Sequence, residues 1–170
     1  MADPETAPAR QVEMIFNNEH IFISTRIHYR VSVVRRDTGV HSVLPINSPD
    51  AELADAVRKS LNESRMLDIQ TERHLLSFPE VGKMYEEWVA KTVNEWGYSS
   101  RKALFKDMMA VDIDQTPEAL TLQPLIHEAL EGWGLPDKNT RPNPEKVVAD
   151  LDASDAELGI AIRLAMSRCE

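Results

Sequence analysis

The chain has 170 residues, 42% hydrophobic and 28% charged, with a formal net charge of −9. This is the size and composition of one globular domain with a real core, and no apolar run approaches the roughly 18 residues of a membrane helix. The one cysteine, Cys169, excludes an internal disulfide, no Cys/His metal spacing exists, no glycine-rich phosphate loop is present, and no cofactor is implied.

The opening "MADPETAPARQ" lacks the basic and apolar regions of a secretory signal. Residues 1–10 therefore read as a flexible leader, and residues 11–170 as a single domain in a reducing cytoplasm. Gln11–Phe16 predicts a strand turned by Asn17-Asn18. "IFISTRIHYRVSVVRRDTGVHSVLPI", residues 21–46, is rich in β-branched residues and alternates. Ile27, Tyr29, Val31 and Val33 point one way, and Arg26, His28, Arg30 and Ser32 the other. Asp37-Thr38-Gly39 signals a hairpin turn. Ser48 and Pro49 open a helix that runs to about Ser64. Residues 66–78 are ambiguous, with "RHLLSF" a possible short strand. Pro79 opens a second helix, over about 79–96, which Gly97 stops.

"RKALFKDMMAVDIDQ" and "EALTLQPLI" predict neighbouring strands, with Val111 and Ile113 inward and Asp112 and Asp114 outward. "EGWGLPDKNTRPNPEK" reads as loop and "KVVADL" as strand. Ser154 and Glu157 form a capping box for a final helix.

Sliding residues 43–62 onto 148–167 gives seven identities, including Asp50-Ala51-Glu52-Leu53 on Asp155-Ala156-Glu157-Leu158. The apolar triplets Leu53/Val57/Leu61 and Leu158/Ile162/Met166 also correspond. A spacing of 105 residues is too long for a solenoid and suits two copies of one larger unit. The expected fold is α+β: two antiparallel sheet-plus-helix halves, about 11–98 and 99–170, related by an internal repeat, with the extra helix at about 79–96.

The charge is uneven. Residues 107–170 hold thirteen acidic groups against five basic ones, while the rest is nearly neutral. This favours a basic partner over a nucleic acid. A basic partner would meet Asp112, Asp114, Glu118, Glu128 and Glu131, with Trp133 of "EGWG" as an exposed anchor. The rival signal is a basic strand face of Arg26, His28, Arg30 and Arg36, which could bind single-stranded nucleic acid. A third reading seats a divalent cation on Asp112 and Asp114 in a hydrolase; no further ligand or catalytic lysine lies at a recognisable spacing.

Five blocks carry a family resemblance: "FISTRIHYRVSVVRRDTGVHSVLP", "YEEWV", "YSSRKALFKDM", "HEALEGW" and "AIRLAMSRCE". In this order they resemble the CdiI-type immunity proteins of bacterial contact-dependent growth inhibition systems, over all but the first ten residues. The resemblance implies a small cytosolic antidote without catalysis. Its partner would be a cognate toxin C-terminal domain, often a nuclease acting on tRNA or DNA. Some such proteins are similar in shape to Whirly-type single-strand-binding proteins, which have two pseudo-symmetric sheet-plus-helix halves. The resemblance gives no interface positions to carry over; no membrane partner is expected, and the acidic charge makes a single-stranded nucleic acid the poorer alternative.

Overall fold

The computed structural model describes residues 10–29, 32–35, 41–137 and 139–170. The expected turn at Asp37-Thr38-Gly39, and with it Arg30 and Arg36, lies outside the described residues. In chain order the strands begin with β1 (Arg10–Phe16), β2 (His20–Thr25), β3 (Ile27–Tyr29), β4 (Ser32–Arg35) and β5 (His41–Pro45). The helix α1 (Asp50–Glu63) follows, then β6 (Arg65–Met66), α2 (Phe78–Glu95) and α3 (Arg101–Phe105). The chain continues through β7 (Met109–Gln115), β8 (Leu120–Pro124), β9 (Ile126–Ala129), β10 (Gly132–Gly134), β11 (Val147–Ala149) and α4 (Asp155–Ser167).

The fold is α+β and its sheets are mostly antiparallel. Six strands form one sheet in the order β11-β8-β7-β1-β2-β5. The sequence predicts two separate sheets; the structure joins them. β1 and β7 pair antiparallel along their whole length, from Arg10↔Gln115 to Phe16↔Met109. Either strand alone would leave an open edge of unpaired N–H and C=O groups, and the pairing removes both edges.

Alternation then sorts the side chains. Val12, Met14, Ile21, Ile23, Val111, Ile113, Leu120 and Leu122 face one way, under α1 and α4. Both helices bury their predicted stripes: Leu53, Val57, Leu158 and Ile162 are wholly buried and Leu61 nearly so. Met166 is partly buried against the same core. The capping box forms as expected, with Ser154 Oγ accepting from Glu157 N and Glu157 Oε2 accepting from Ser154 N.

On the other face, Ile15, Phe22 and Ala110 meet Val89 of α2, Leu104 and Phe105 of α3, Met108 and Leu125. Here the sequence reading needs correction. Residues 101–105 were expected as strand and are helix, because Ser100 Oγ accepts from Ala103 N at 3.1 Å and Leu104 and Phe105 bury a helical face. Gly132–Gly134 was expected as loop and pairs with β9. Gly97 does end α2, in the left-handed region at φ 73°. Finally, the chain leaves the main sheet at Arg26. β3 joins β4 and β6 in a separate three-stranded sheet over its own small core of Ile27, Leu67 and Leu75.

α1 and α4 lie side by side, tied by two arginines. Arg58 donates to Asp155 Oδ1 (3.0 Å), Leu151 O and Ala153 O. Arg163 donates to Asp50 Oδ1 (3.2 Å), Ile46 O and Ser48 O. Each helix thus grips the corner that opens the other. Charge-assisted bonds of this kind contribute about 1.5–3 kcal/mol when buried, less when partly exposed. Arg58→Ala and Arg163→Ala are each expected to cost about 1 kcal/mol, and to cost the same within error, in urea titrations.

Candidate functional site

The two rival site predictions meet in one place. The second sheet face turns polar at one end, where Gln11 and Glu13 of β1 lie beside Asp112 and Asp114 of β7. Glu13 and Asp112 are direct register partners, as are Gln11 and Asp114. Arg26, at the bend between β2 and β3, reaches over them. Its Nη2 stands 2.8 Å from Glu13 Oε2 and 3.0 Å from Asp112 Oδ1. Burial works against the guanidinium charge, but Glu13 and Asp112 outweigh it and raise the Arg26 pKa. The arginine from the nucleic-acid set therefore neutralises the carboxylates from the toxin-interface set. A guanidinium also stands where the hydrolase reading needs a cation.

The neighbours of this cluster are perturbed by the same burial. Asp114 is half-buried; desolvation raises its pKa, against a hydrogen bond from Gln11 and the charges of Arg26 and His28. His28 was expected on an exposed basic face. It is 5% exposed, and burial together with the Arg26 charge lowers its pKa, so the imidazole is neutral at pH 7. The alternation prediction failed there because β3 is covered on both faces once it enters the small sheet. His41 Nδ1 lies 3.0 Å from Ser24 Oγ.

The other expected interface residues lie elsewhere. Trp133 is half-buried, not an exposed anchor. Its Nε1 donates to Met108 O at 2.7 Å, and its ring stacks on His127 and packs near Phe105. Glu131 takes a hydrogen bond from Tyr85 Oη (2.6 Å) and two from Arg101, through Nε (2.5 Å) and Nη2 (2.7 Å). Arg101 also grips Glu86, which lies on α2. Glu131 thus fastens β10's approach to α2 and α3. Glu118 and Glu128 are exposed.

Sequence reasoning missed Gln11, Glu13 and Arg101. Glu13 was detectable, since a carboxylate between inward Val12 and Met14 must occupy the opposite face. Arg101 was hidden by the strand prediction for its segment. Cys169 carries no reactive thiol: it is half-buried, its Sγ donates to Ala110 O at 3.2 Å, and burial pushes its pKa to about 11. Among the described residues no group of three His, Cys, Asp or Glu could hold a metal ion, and no helix is long and apolar enough to cross a membrane.

A six-stranded antiparallel sheet with two clasped helices on one face, and a cluster of Arg26, Glu13 and Asp112 at one end of the other, define an α+β domain. The model of the CDI immunity protein family matches residues 10–169, and the chain belongs to that family. The immunity protein CdiI-YPIII of Yersinia pseudotuberculosis serotype O:3 (strain YPIII) is 31% identical over 166 residues, covering 91% of this chain and 92% of its own length. A chain of the CdiA-CT/CdiI toxin and immunity complex from Yersinia pseudotuberculosis superposes with a TM-score of 0.83 at 28% identity, over 96% of this chain and 99% of that one. A protein of unknown function from Neisseria meningitidis superposes with a TM-score of 0.85 at 27% identity, over 99% of each chain.

Proposed function

We propose that this chain is a non-catalytic antidote that binds and neutralises the cognate toxin C-terminal domain of a contact-dependent growth inhibition system inside the cell. The carrying observation is the whole-chain likeness to a chain of a toxin and immunity complex. The toxin is a nuclease. A phosphate-binding cleft is basic, and the −9 charge of this chain, concentrated in residues 107–170, suits it. Steering by such a field raises association rates towards about 10⁸ M⁻¹s⁻¹ at low salt, which serves an antidote that must act before its toxin does.

Within the expected interface, exposed Glu118 and Glu128 fit this steering role. Asp112, Asp114, Glu131 and Trp133 support the surface from within, through the contacts described above. The nucleic-acid reading loses Arg26 and His28 to internal pairing and burial.

Two flanks copied from one unit, the Whirly-like arrangement, are supported by the registers. Adding 99 to both members of Phe16↔Ile21 gives Gln115↔Leu120, and to Val12↔Thr25 gives Val111↔Pro124. The third strand and the helix carry the 105-residue shift of the sequence repeat. Phe22↔Val43 then maps to Thr121↔Val148, and every partner of Arg58 maps to one of Arg163.

The test uses the C-terminal domain of the cognate CdiA toxin. Titration should give a one-to-one complex whose association rate falls with salt, with the toxin's nuclease activity abolished at stoichiometry. Glu118→Gln/Glu128→Gln should slow association several-fold while leaving dissociation unchanged. A toxin domain that neither binds the chain nor is inhibited by it overturns the reading.

A further inference from the structure

Along α1 and α2 the exposed faces carry paired charges. The outward side of α1 carries Asp55 and Lys59, ion-paired at 2.7 Å. α2 carries Lys83 with Glu87 and Lys91 with Glu95 on its exposed side. The segment between α1 and α2 departs from this pattern. Of the ten large apolar side chains most exposed among the described residues, four come from residues 66–78: Met66 (44%), Ile69 (42%), Leu76 (40%) and Phe78 (86%).

These four sit beside the smallest of the three buried apolar clusters that the described residues form. β6 is two residues long and is an edge strand of the three-stranded sheet. Among the described residues, Ile27, Leu67 and Leu75 are buried beneath it, with Tyr29 and Met84 partly so. A small sheet of this kind is marginal by itself. The segment is nonetheless cross-braced by polar bonds. Arg65 grips both oxygens of Glu72, at 2.7 and 2.5 Å. That pair, with the Asp68 N–H, pulls the Glu72 pKa to about 2. Asp68 in turn accepts from Gln70 N and Thr71 Oγ1. Polar bonds thus fix a loop whose large side chains remain in water. Phe78, the first residue of α2, is held in place by Pro79 behind it and is presented outward at a helix start.

From this geometry we infer that residues 66–78 form the apolar anchor of the toxin interface, with Phe78 at its centre. This rests on the antidote reading above and narrows it to a surface. Interface centres are apolar and aromatic, poor in charge, and rimmed by charged groups. Met66, Ile69, Leu76 and Phe78 supply the centre, and exposed Arg73 and Glu80 flank it. A second copy of this chain is the poorer occupant, because it would bring another −9 of charge against the first. A basic toxin domain is drawn in by that same charge, with steering and anchoring separated: distant carboxylates set the approach and the apolar segment sets the lifetime.

The experiment measures association and dissociation of the CdiA C-terminal domain with wild type, Phe78→Ser, and Leu76→Ser/Phe78→Ser. Wild-type binding tests the antidote reading; its failure there overturns that reading and not only this placement. Given wild-type binding, Phe78→Ser should raise the dissociation rate at least tenfold and the double variant about a hundredfold, with association rates within threefold of wild type. Phe78 contributes little to the folded core, so thermal unfolding of Phe78→Ser should match wild type. As a variant-free check, amide exchange in residues 65–80 should slow in the wild-type complex. Dissociation rates within threefold of wild type, with exchange unchanged, overturn the inference. A concentration-dependent dimer that Phe78→Ser converts to monomer also overturns it and assigns the surface to a second copy.

Discussion

Arg26→Ala is expected to destabilise the protein by about 3 kcal/mol at pH 7, measured as a shift in urea midpoint. Removing one partner of a largely buried charge cluster costs about 3–5 kcal/mol, because the remaining charges lose compensation they cannot recover from water. Here the Glu13 side chain is 9% exposed and that of Asp112 30%, which puts the effect at the lower end. Arg26→Lys should recover only part of it, since one ammonium cannot span both carboxylates as a guanidinium does.

The pH dependence separates this cluster from a general loss of packing. The deficit of Arg26→Ala should shrink as pH falls and the carboxylates take up protons. Asp114 makes the sign explicit. Its folded pKa is raised above its unfolded value, so its contribution is fully present below the unfolded carboxylate pKa and is lost as pH rises through the folded value. Asp114→Asn should remove that loss and gain stability at pH 7 relative to pH 4. His28 acts oppositely: its pKa is lowered, so its contribution is present above about 6.5 and is lost as pH falls through the folded value. Equal Arg26→Ala deficits at pH 4 and pH 7 would mean that the cluster is held by contacts other than charge.

The second large effect is expected at Gly159. Glycine to alanine in a helix interior ordinarily gains about 1 kcal/mol. At this position the sign should reverse, with a loss of about 3 kcal/mol. A Cβ on Gly159 would stand 2.6 Å from the Asp50 carbonyl carbon and closer still to its oxygen. The obstacle is backbone, so no rotamer change relieves it and α1 and α4 must separate. Separation also pulls Arg163 from Ile46 O, Ser48 O and Asp50. Gly82→Ala is the internal control: nothing lies within 4 Å of a Cβ there, so that change should be neutral or mildly stabilising. A Gly159→Ala protein as stable as wild type would refute the close helix contact.

Much of the main sheet was legible because its signal is periodic. Val111/Ile113 against Asp112/Asp114, and the buried Leu53/Val57 and Leu158/Ile162 stripes, follow from side-chain direction alone. The helix starts were legible from chemistry, in Ser154 with Glu157 and in Pro79. What failed was non-local. Nothing in "RKALF" announces that Leu104 and Phe105 will be needed beneath α2, so its apolar content read as strand. Nothing in "IHY" reveals that β3 leaves the main sheet and becomes covered on both sides, which turned His28 from a surface base into a buried neutral ring. Trp133 read as exposed because its flanking glycines suggest a loop; only the β9 partner and the Met108 carbonyl explain its position. For the candidate site, sequence singled out Arg26, Asp112 and Asp114 but missed Glu13, and could not tell that Arg26 and Asp112 would find each other.

The central β1–β7 seam has a consequence in time. Val12 pairs with Ile113, so the first strand made must wait for about a hundred further residues before its outer edge is covered. At about 5–20 residues per second that interval is on the order of 5–20 s of synthesis. Such distant antiparallel pairings also fold slowly once the chain is free, in roughly milliseconds to seconds. A nascent chain cannot answer an incoming toxin during that window. Protection in the proposed role therefore depends on finished molecules already standing in the cell.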